Sequence, residues 1–327
     1  MNSLTRPQTV AAGCCLALGA CVAAGWLPFG SLRLFILECW PALLIALAGV
    51  GLGGAVLLCL GLGRAPPRWQ IVLGGGMGMG LLALVVLGLG TAGHLSRNLW
   101  FAILGALAVV GAANIVRAVI VSQRPSDTPS SYDDYVRWLW ILAMPAVALG
   151  IFAASFPPGI LWFTEGSGYD VLEYHFGAPR EYFDAGRITY LPHNIYSHFP
   201  FNVEMLYLLT FVLRKGPHEA AFAAQFLNVL LGCWAVAAAW LAGRTLSPTA
   251  GHIAGVLTAT CPWLAWLCGI AYVESGMLVF IGVALAALIE EAVGAAFVEV
   301  QLATVAGGFH LVDQLTDAGE EEVFGAD

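Results

Sequence analysis

Apolar and polar residues fall along this chain in long blocks, not in the short alternation of a soluble domain. A helix that crosses a membrane needs about 20 mostly apolar residues. Five runs of that kind fill the first half, at 9–29, 34–62, 69–93, 99–121 and 137–157, and three more follow at 219–243, 249–268 and 276–293. The second run opens at Glu38-Cys39-Trp40-Pro41, which places its start near Pro41. The run 201–213 differs from the rest. As a helix it rises about 20 Å, short of a hydrocarbon core of about 30 Å. It lies between Pro200 and Arg214-Lys215-Gly216-Pro217, so an interfacial helix is expected there, not a crossing. The pattern predicts an all-α polytopic membrane protein of about eight transmembrane helices, with an outer loop carrying short interfacial helices.

The polar blocks divide the chain. Residues 1–121 form a four-span N-terminal membrane region, and 122–136 (VSQRPSDTPSSYDDY) read as a cytoplasmic linker. Residues 137–293 form a second membrane region with a long polar loop at 158–200. Residues 294–327 form an acidic tail. Val298, Leu302 and Val305 stand at helical spacing, so the tail reads either as an amphipathic helix with an acidic end or as the product of a shifted frame or early stop.

Composition and charge narrow the classes. Apolar residues make up 59% of the 327, and charged ones 10% against about 25% in soluble domains, which excludes an ordinary soluble enzyme and a disordered chain. The net charge of −8 belongs to the tail: nine of the 21 acids follow residue 289, and no lysine or arginine follows Arg244. The body is near neutral, so nucleic-acid binding has no electrostatic footprint. With the N-terminus in the cytoplasm, the inner loops hold Arg6, Arg64, Arg68, Arg117, Arg124, Arg137 and Arg244, and the outer loops of the first half only Arg33 and Arg97. This agrees with positive-inside orientation and puts loop 158–200 on the non-cytoplasmic side of an inner (plasma) membrane. The run 9–29 is long for a signal peptide and is expected as an uncleaved span.

Two features invite a site and do not make one. The eight cysteines lie in or beside apolar runs without a CxxC pair, and read as small membrane-embedded hydrophobes. The stretch Gly74-Gly75-Gly76-Met77-Gly78-Met79-Gly80 lacks the lysine and serine of a phosphate loop; small residues at this spacing let helices approach closely. GxSxG, GK[ST] and HExxH patterns are absent from the sequence.

The chemistry is concentrated in loop 158–200. It holds Glu165, Asp170, Glu173, Glu181 and Asp184, with Arg180, Arg187, His175, His193, His198 and five tyrosines. Asp170 to His175 reads as a short helix with Asp170, Glu173 and Tyr174 on one face. Ala178-Pro179-Arg180 opens a second helix and Gly186 closes it. The plain reading is a hydrated loop whose charges keep it in water. Against it stands the interleaving of aromatics with charges, and a further acid at a membrane boundary in Ala271-Tyr272-Val273-Glu274-Ser275. If 201–213 does not cross, Glu274 faces the same side as Asp170.

Residues from about 137 to 290 resemble the N-terminal part of the GT-C glycosyltransferases, such as aminoarabinose and protein O-mannosyl transferases. The resemblance is carried by a span ending near Trp162, Tyr169-Asp170 with Tyr174-His175 and Pro179, and Gly186-Arg187-Ile188. It continues in Tyr196-Ser197-His198-Phe199-Pro200, Glu204-Met205-Leu206-Tyr207, Arg244 and Tyr272-Val273-Glu274. It covers just under half of the chain and implies transfer of a sugar from a polyprenyl-phosphate donor to a lipid or protein acceptor. Asp170 falls on the family's first outer acid, as proton acceptor or acceptor-orienting group. Glu274 falls on the second, where the family often has Asp. The leaving phosphate calls for positive charge, from a divalent metal or from the chain. Tyr174, His175, Arg180, Arg187 and His198 are the substrate-binding candidates, and the resemblance fixes no metal. Four spans precede the similar part, and the pattern stops near residue 290, where full-size relatives run to about a dozen spans.

The competing class is non-catalytic, a polytopic scaffold or lipid-binding protein. A transporter of charged solutes fits less well: Glu38, Arg117 and His252 lie near span ends and no span carries a central charge.

Overall fold

The computed structural model describes residues 6–63, 65–122, 135–161, 168–199 and 201–291. The linker residues 123–134, Trp162, Glu165, Pro200 and the tail from 292 onward lie outside the described residues. The chain divides into units 1–286 and 287–327, and every site residue considered below belongs to the first.

The described residues form helices and no strand. In order they are α1 Arg6–Ala23, α2 Phe29–Glu38, α3 Trp40–Cys59, α4 Pro67–Thr91, α5 Arg97–Ser122 and α6 Tyr135–Ala153. Then come α7 Gly177–Ala185, α8 Asn202–Arg214, α9 Pro217–Leu246, α10 Pro248–Ala259, α11 Pro262–Cys268 and α12, residues 274–291. Five are long and apolar enough to cross a membrane: α3, α4, α5, α6 and α9. The pair α10–α11, bent by 59°, makes a sixth if counted as one broken span.

Three of the eight expected runs do not form such helices on their own, each for a local reason. The run 9–29 is cut after Ala23, where Gly25 takes a left-handed φ of +79° and a new helix begins beyond Pro28. The run 249–268 breaks at Thr260-Cys261, because Pro262 cannot continue the ladder of the helix before it. Of the run 276–293 the described residues, to Glu291, lie in a helix that begins at Glu274 and carries three acids, Glu274, Glu290 and Glu291. The run 34–62 starts its long helix at Trp40 with Pro41 in the first turn, as its sequence indicates.

Glycine sets the packing of α3, α4 and α5. A Cβ on Gly53 would overlap the Gly74 carbonyl oxygen, and one on Gly78 that of Gly49, so α3 and α4 touch backbone to backbone. Gly51 and Gly111 meet the carbonyls of Leu107 and Leu47 in the same way, bringing α5 onto α3. The glycine run of α4 is thus a packing surface.

The largest correction concerns α8. Every residue from Val203 to Leu213 is buried, and α4, α7 and α9 pack around it. An interfacial helix would leave one face to headgroups or solvent. This one is enclosed by protein on all sides, and its polar side chains turn inward: Thr210 donates to the Tyr207 carbonyl at 2.7 Å and Glu204 meets His175. Its C-terminal end is fastened by Arg97 Nε, which donates to the Leu213 carbonyl at 2.8 Å, and by the Arg214–Glu38 ion pair at 3.0 Å.

Asn228, fully buried on α9, donates to the carbonyls of Leu267 and Ile270 and ties down the segment leading to Glu274. Each carbonyl retains one backbone donor. Asn228→Leu is therefore expected to lower stability by about 1–2 kcal/mol, read as a drop in melting temperature of the purified protein. An unchanged melting temperature contradicts the assigned role.

Candidate functional site

The polar segment folds through an uncommon turn. Val171–His175 is a π-helical turn, closed by Phe176 N–H donating to the Val171 carbonyl at 2.8 Å. The extra residue in the turn changes which side chains share a face. Asp170, Tyr174 and His175 line one cavity, whereas Glu173 is exposed and is not among its walls. That corrects the expected grouping of Asp170, Glu173 and Tyr174. The second short helix forms as its sequence indicates, with Pro179 in its first turn and Gly186 at φ +68° beyond its end. Ile188 N–H donates to the Gly90 carbonyl at 2.9 Å, which pins the segment to the end of α4.

The cavity holds about 190 Å³. Its walls come from three places: Asp170, Tyr174 and His175 from the π-turn; Phe199, Phe201 and Glu204 from the entry to α8; Tyr272, Val273 and Glu274 from the entry to α12. Asp170 and Glu274 therefore lie at the same end of the helices. None of the nine is lysine or arginine.

His175 and Glu204 are the most enclosed polar pair here, 5% and 3% exposed. The imidazole Nδ1 lies 2.8 Å from Glu204 Oε1, at hydrogen-bond distance. Glu204 Oε2 and Glu274 Oε2 are buried without a hydrogen-bond partner. Tyr174 and Tyr272 flank the imidazole, with ring centroids 4.2 and 5.6 Å away, and Tyr196 stacks on Tyr174 at 4.6 Å. Burial raises the Tyr174 phenol above its ordinary value, and the Asp170 carboxylate adds to this through its charge and a hydrogen bond from the hydroxyl. The phenol thus stays protonated through neutral and moderately alkaline pH. Behind the site, Tyr207 donates its hydroxyl to the Tyr272 carbonyl at 2.5 Å, linking α8 to the strip that carries Glu274.

Of the seven residues singled out by sequence, Asp170, Tyr174, His175 and Glu274 share this cavity. The other three do not. Arg180 is exposed, faces Asp184 at 3.8 Å, and borders a separate cavity of about 350 Å³ with His218, Phe176 and Phe222. Arg187 is exposed. His198 is exposed, with Nδ1 against the Ile195 carbonyl at 2.9 Å and its ring edge-on to Tyr190. Glu204 was given no role from sequence; its signal is a single carboxylate within the apolar run 201–213. Among the described residues no group of three or more His, Cys, Asp or Glu is placed to hold a metal ion.

No family model, no curated protein and no solved structure matches the chain.

Proposed function

We propose that the chain is an integral-membrane glycosyltransferase of the GT-C kind, moving a sugar from a polyprenyl-phosphate donor to a lipid or protein acceptor. In this reading α1, the broken pair α10–α11 and α12 also cross, which makes eight crossings, and the cavity opens on the non-cytoplasmic side of the plasma (inner) membrane. The observation that carries it is the meeting of Asp170 and Glu274, about a hundred positions apart, in one cavity with aromatic walls. Transfer at an anomeric carbon needs a carboxylate near the acceptor hydroxyl, to take its proton or to orient it. Asp170 is the candidate for that role, beside Tyr174 in the cavity wall. Three carboxylates without a lysine or arginine make the cavity a poor seat for phosphate. The phosphate belongs beside Arg180 and His218, in the cavity of about 350 Å³ whose remaining walls are apolar and suit a prenyl chain.

The test is transfer itself. Purified full-length protein in liposomes is given radiolabelled polyprenyl-phosphate-linked hexose or pentose, with extracted membrane lipids or membrane proteins as acceptors. Label passing to either acceptor is the expected result. Saturable retention of the donor without its consumption moves the protein to the non-catalytic, lipid-binding class, and neither retention nor transfer rejects the reading.

A further inference from the structure

We infer that Glu204 is a positioning residue and that, with it, His175 is the nitrogen base of this cavity; the role within sugar transfer rests on the reading above. The pair is built like a base with its orienter. Glu204 stands on α8, enclosed from Val203 to Leu213 and tied at its far end by Arg97 and by the Arg214–Glu38 pair, so the carboxylate has a rigid mount. The π-turn delivers His175 to it at 2.8 Å. In this assignment Glu204 accepts from Nδ1–H across the 2.8 Å contact, which leaves the lone pair of the neutral ring on Nε2. The ring lines the cavity between Tyr174 and Tyr272, which hold its plane.

This arrangement divides the labour with Asp170, which lines the same cavity beside Tyr174. Asp170 orients the acceptor hydroxyl. His175 Nε2 takes the proton as the acceptor O–H bond breaks. The freed electron pair forms the bond to the anomeric carbon, and the bond from that carbon to the phosphate oxygen breaks, its pair leaving with the phosphate. The imidazolium that results is stabilised across the 2.8 Å contact by Glu204. The proton is then released to water, which returns the ring to its starting form. His175 is thus a proton acceptor in this scheme, not a seat for the leaving phosphate.

Diethyl pyrocarbonate tests the nitrogen without any substrate, since it acylates an imidazole lone pair. The full-length protein in liposomes is treated briefly, and carbethoxylation at His175, His193 and His198 is followed by peptide mass spectrometry. His175 is expected to react at least as fast as the two exposed histidines despite its burial. Glu204→Gln is expected to slow it about tenfold or more, because the amide can turn its NH2 to Nδ1 and leave the proton on Nε2. Glu204→Asp, which keeps the acceptor, is expected to recover most of the rate. An unreactive His175 beside reactive His193 and His198 overturns the proposal, and that result needs no variant to fold. An equal rate in Glu204→Gln overturns it as well. In the transfer assay Glu204→Gln is expected to lower kcat with KM little changed; wild-type transfer by that variant rejects the pair and leaves the transferase standing. Labelling as expected in a protein that transfers no sugar keeps the base and rejects the transferase.

Discussion

Exchanging Asp170 for asparagine is expected to lower sugar transfer by about a hundredfold or more while the amount of protein in the membrane stays the same. Asparagine matches aspartate in shape, so the cavity keeps its walls. What disappears is the charge that a polarised acceptor hydroxyl and a developing positive anomeric centre both require. Glu173→Gln is the matched control. It removes the same charge three residues away from an exposed side chain outside the cavity, and transfer should stay within about twofold of wild type. Radiolabel transfer at saturating donor, corrected for protein by immunoblot, reads both. Undiminished transfer by Asp170→Asn removes Asp170 from the mechanism, and an equal loss in both variants assigns the effect to the charge of the whole segment.

Glu274 was legible in the sequence because it stands alone at the edge of an apolar run, where a carboxylate has few inexpensive reasons to be; Asp170, one of five acids in loop 158–200, stood out through the family resemblance. That they meet was a matter of parity: if 201–213 does not cross, the two ends come to one side. Hydropathy could not supply the rest. It counts apolar residues without saying whether lipid or protein will cover them, so α8 read as a helix lying at an interface when it is enclosed on every side. The same blindness hid Glu204, since a carboxylate in a short apolar run looks solvated until the helix is known to be buried. The π-turn left no mark in residue spacing, and an ordinary helix would have grouped Glu173 with Asp170 in place of His175. The arginines misled for the opposite reason. Charge draws attention by type, but Arg180 and Arg187 are long side chains on exposed turns, and which way they point is set by the backbone beneath them. Breaks at Gly25 and Pro262 were visible residue by residue and were lost in windows of about 20.

The glycines of α4 offer a test of packing within one helix, with Gly78→Ala and Gly88→Ala as its two arms. A Cβ on Gly78 would overlap the Gly49 carbonyl oxygen and stand 2.7 Å from the Gly53 nitrogen. Both neighbours are backbone of α3, so no side chain can rotate away and the helices must separate. Overpacking of this kind costs about 1–3 kcal/mol where side chains can yield, and Gly78→Ala is expected at or beyond the upper end. Gly88 has nothing within 4 Å of the same methyl, and there alanine should be neutral or stabilising by up to about 1 kcal/mol through helix propensity. The two variants add the same atom to the same helix, so composition and hydrophobicity cancel between them. Thermal unfolding of the purified protein, followed by loss of the monodisperse peak on size exclusion, should put the melting temperature of Gly78→Ala well below that of Gly88→Ala. The loss should reach the site as well, because α4 packs against α8, the mount of Glu204. His175 labelling at a temperature where Gly78→Ala remains folded should therefore fall relative to Gly88→Ala. Equal melting temperatures would mean that α3 and α4 are not in backbone contact, and the glycine run would then need another explanation.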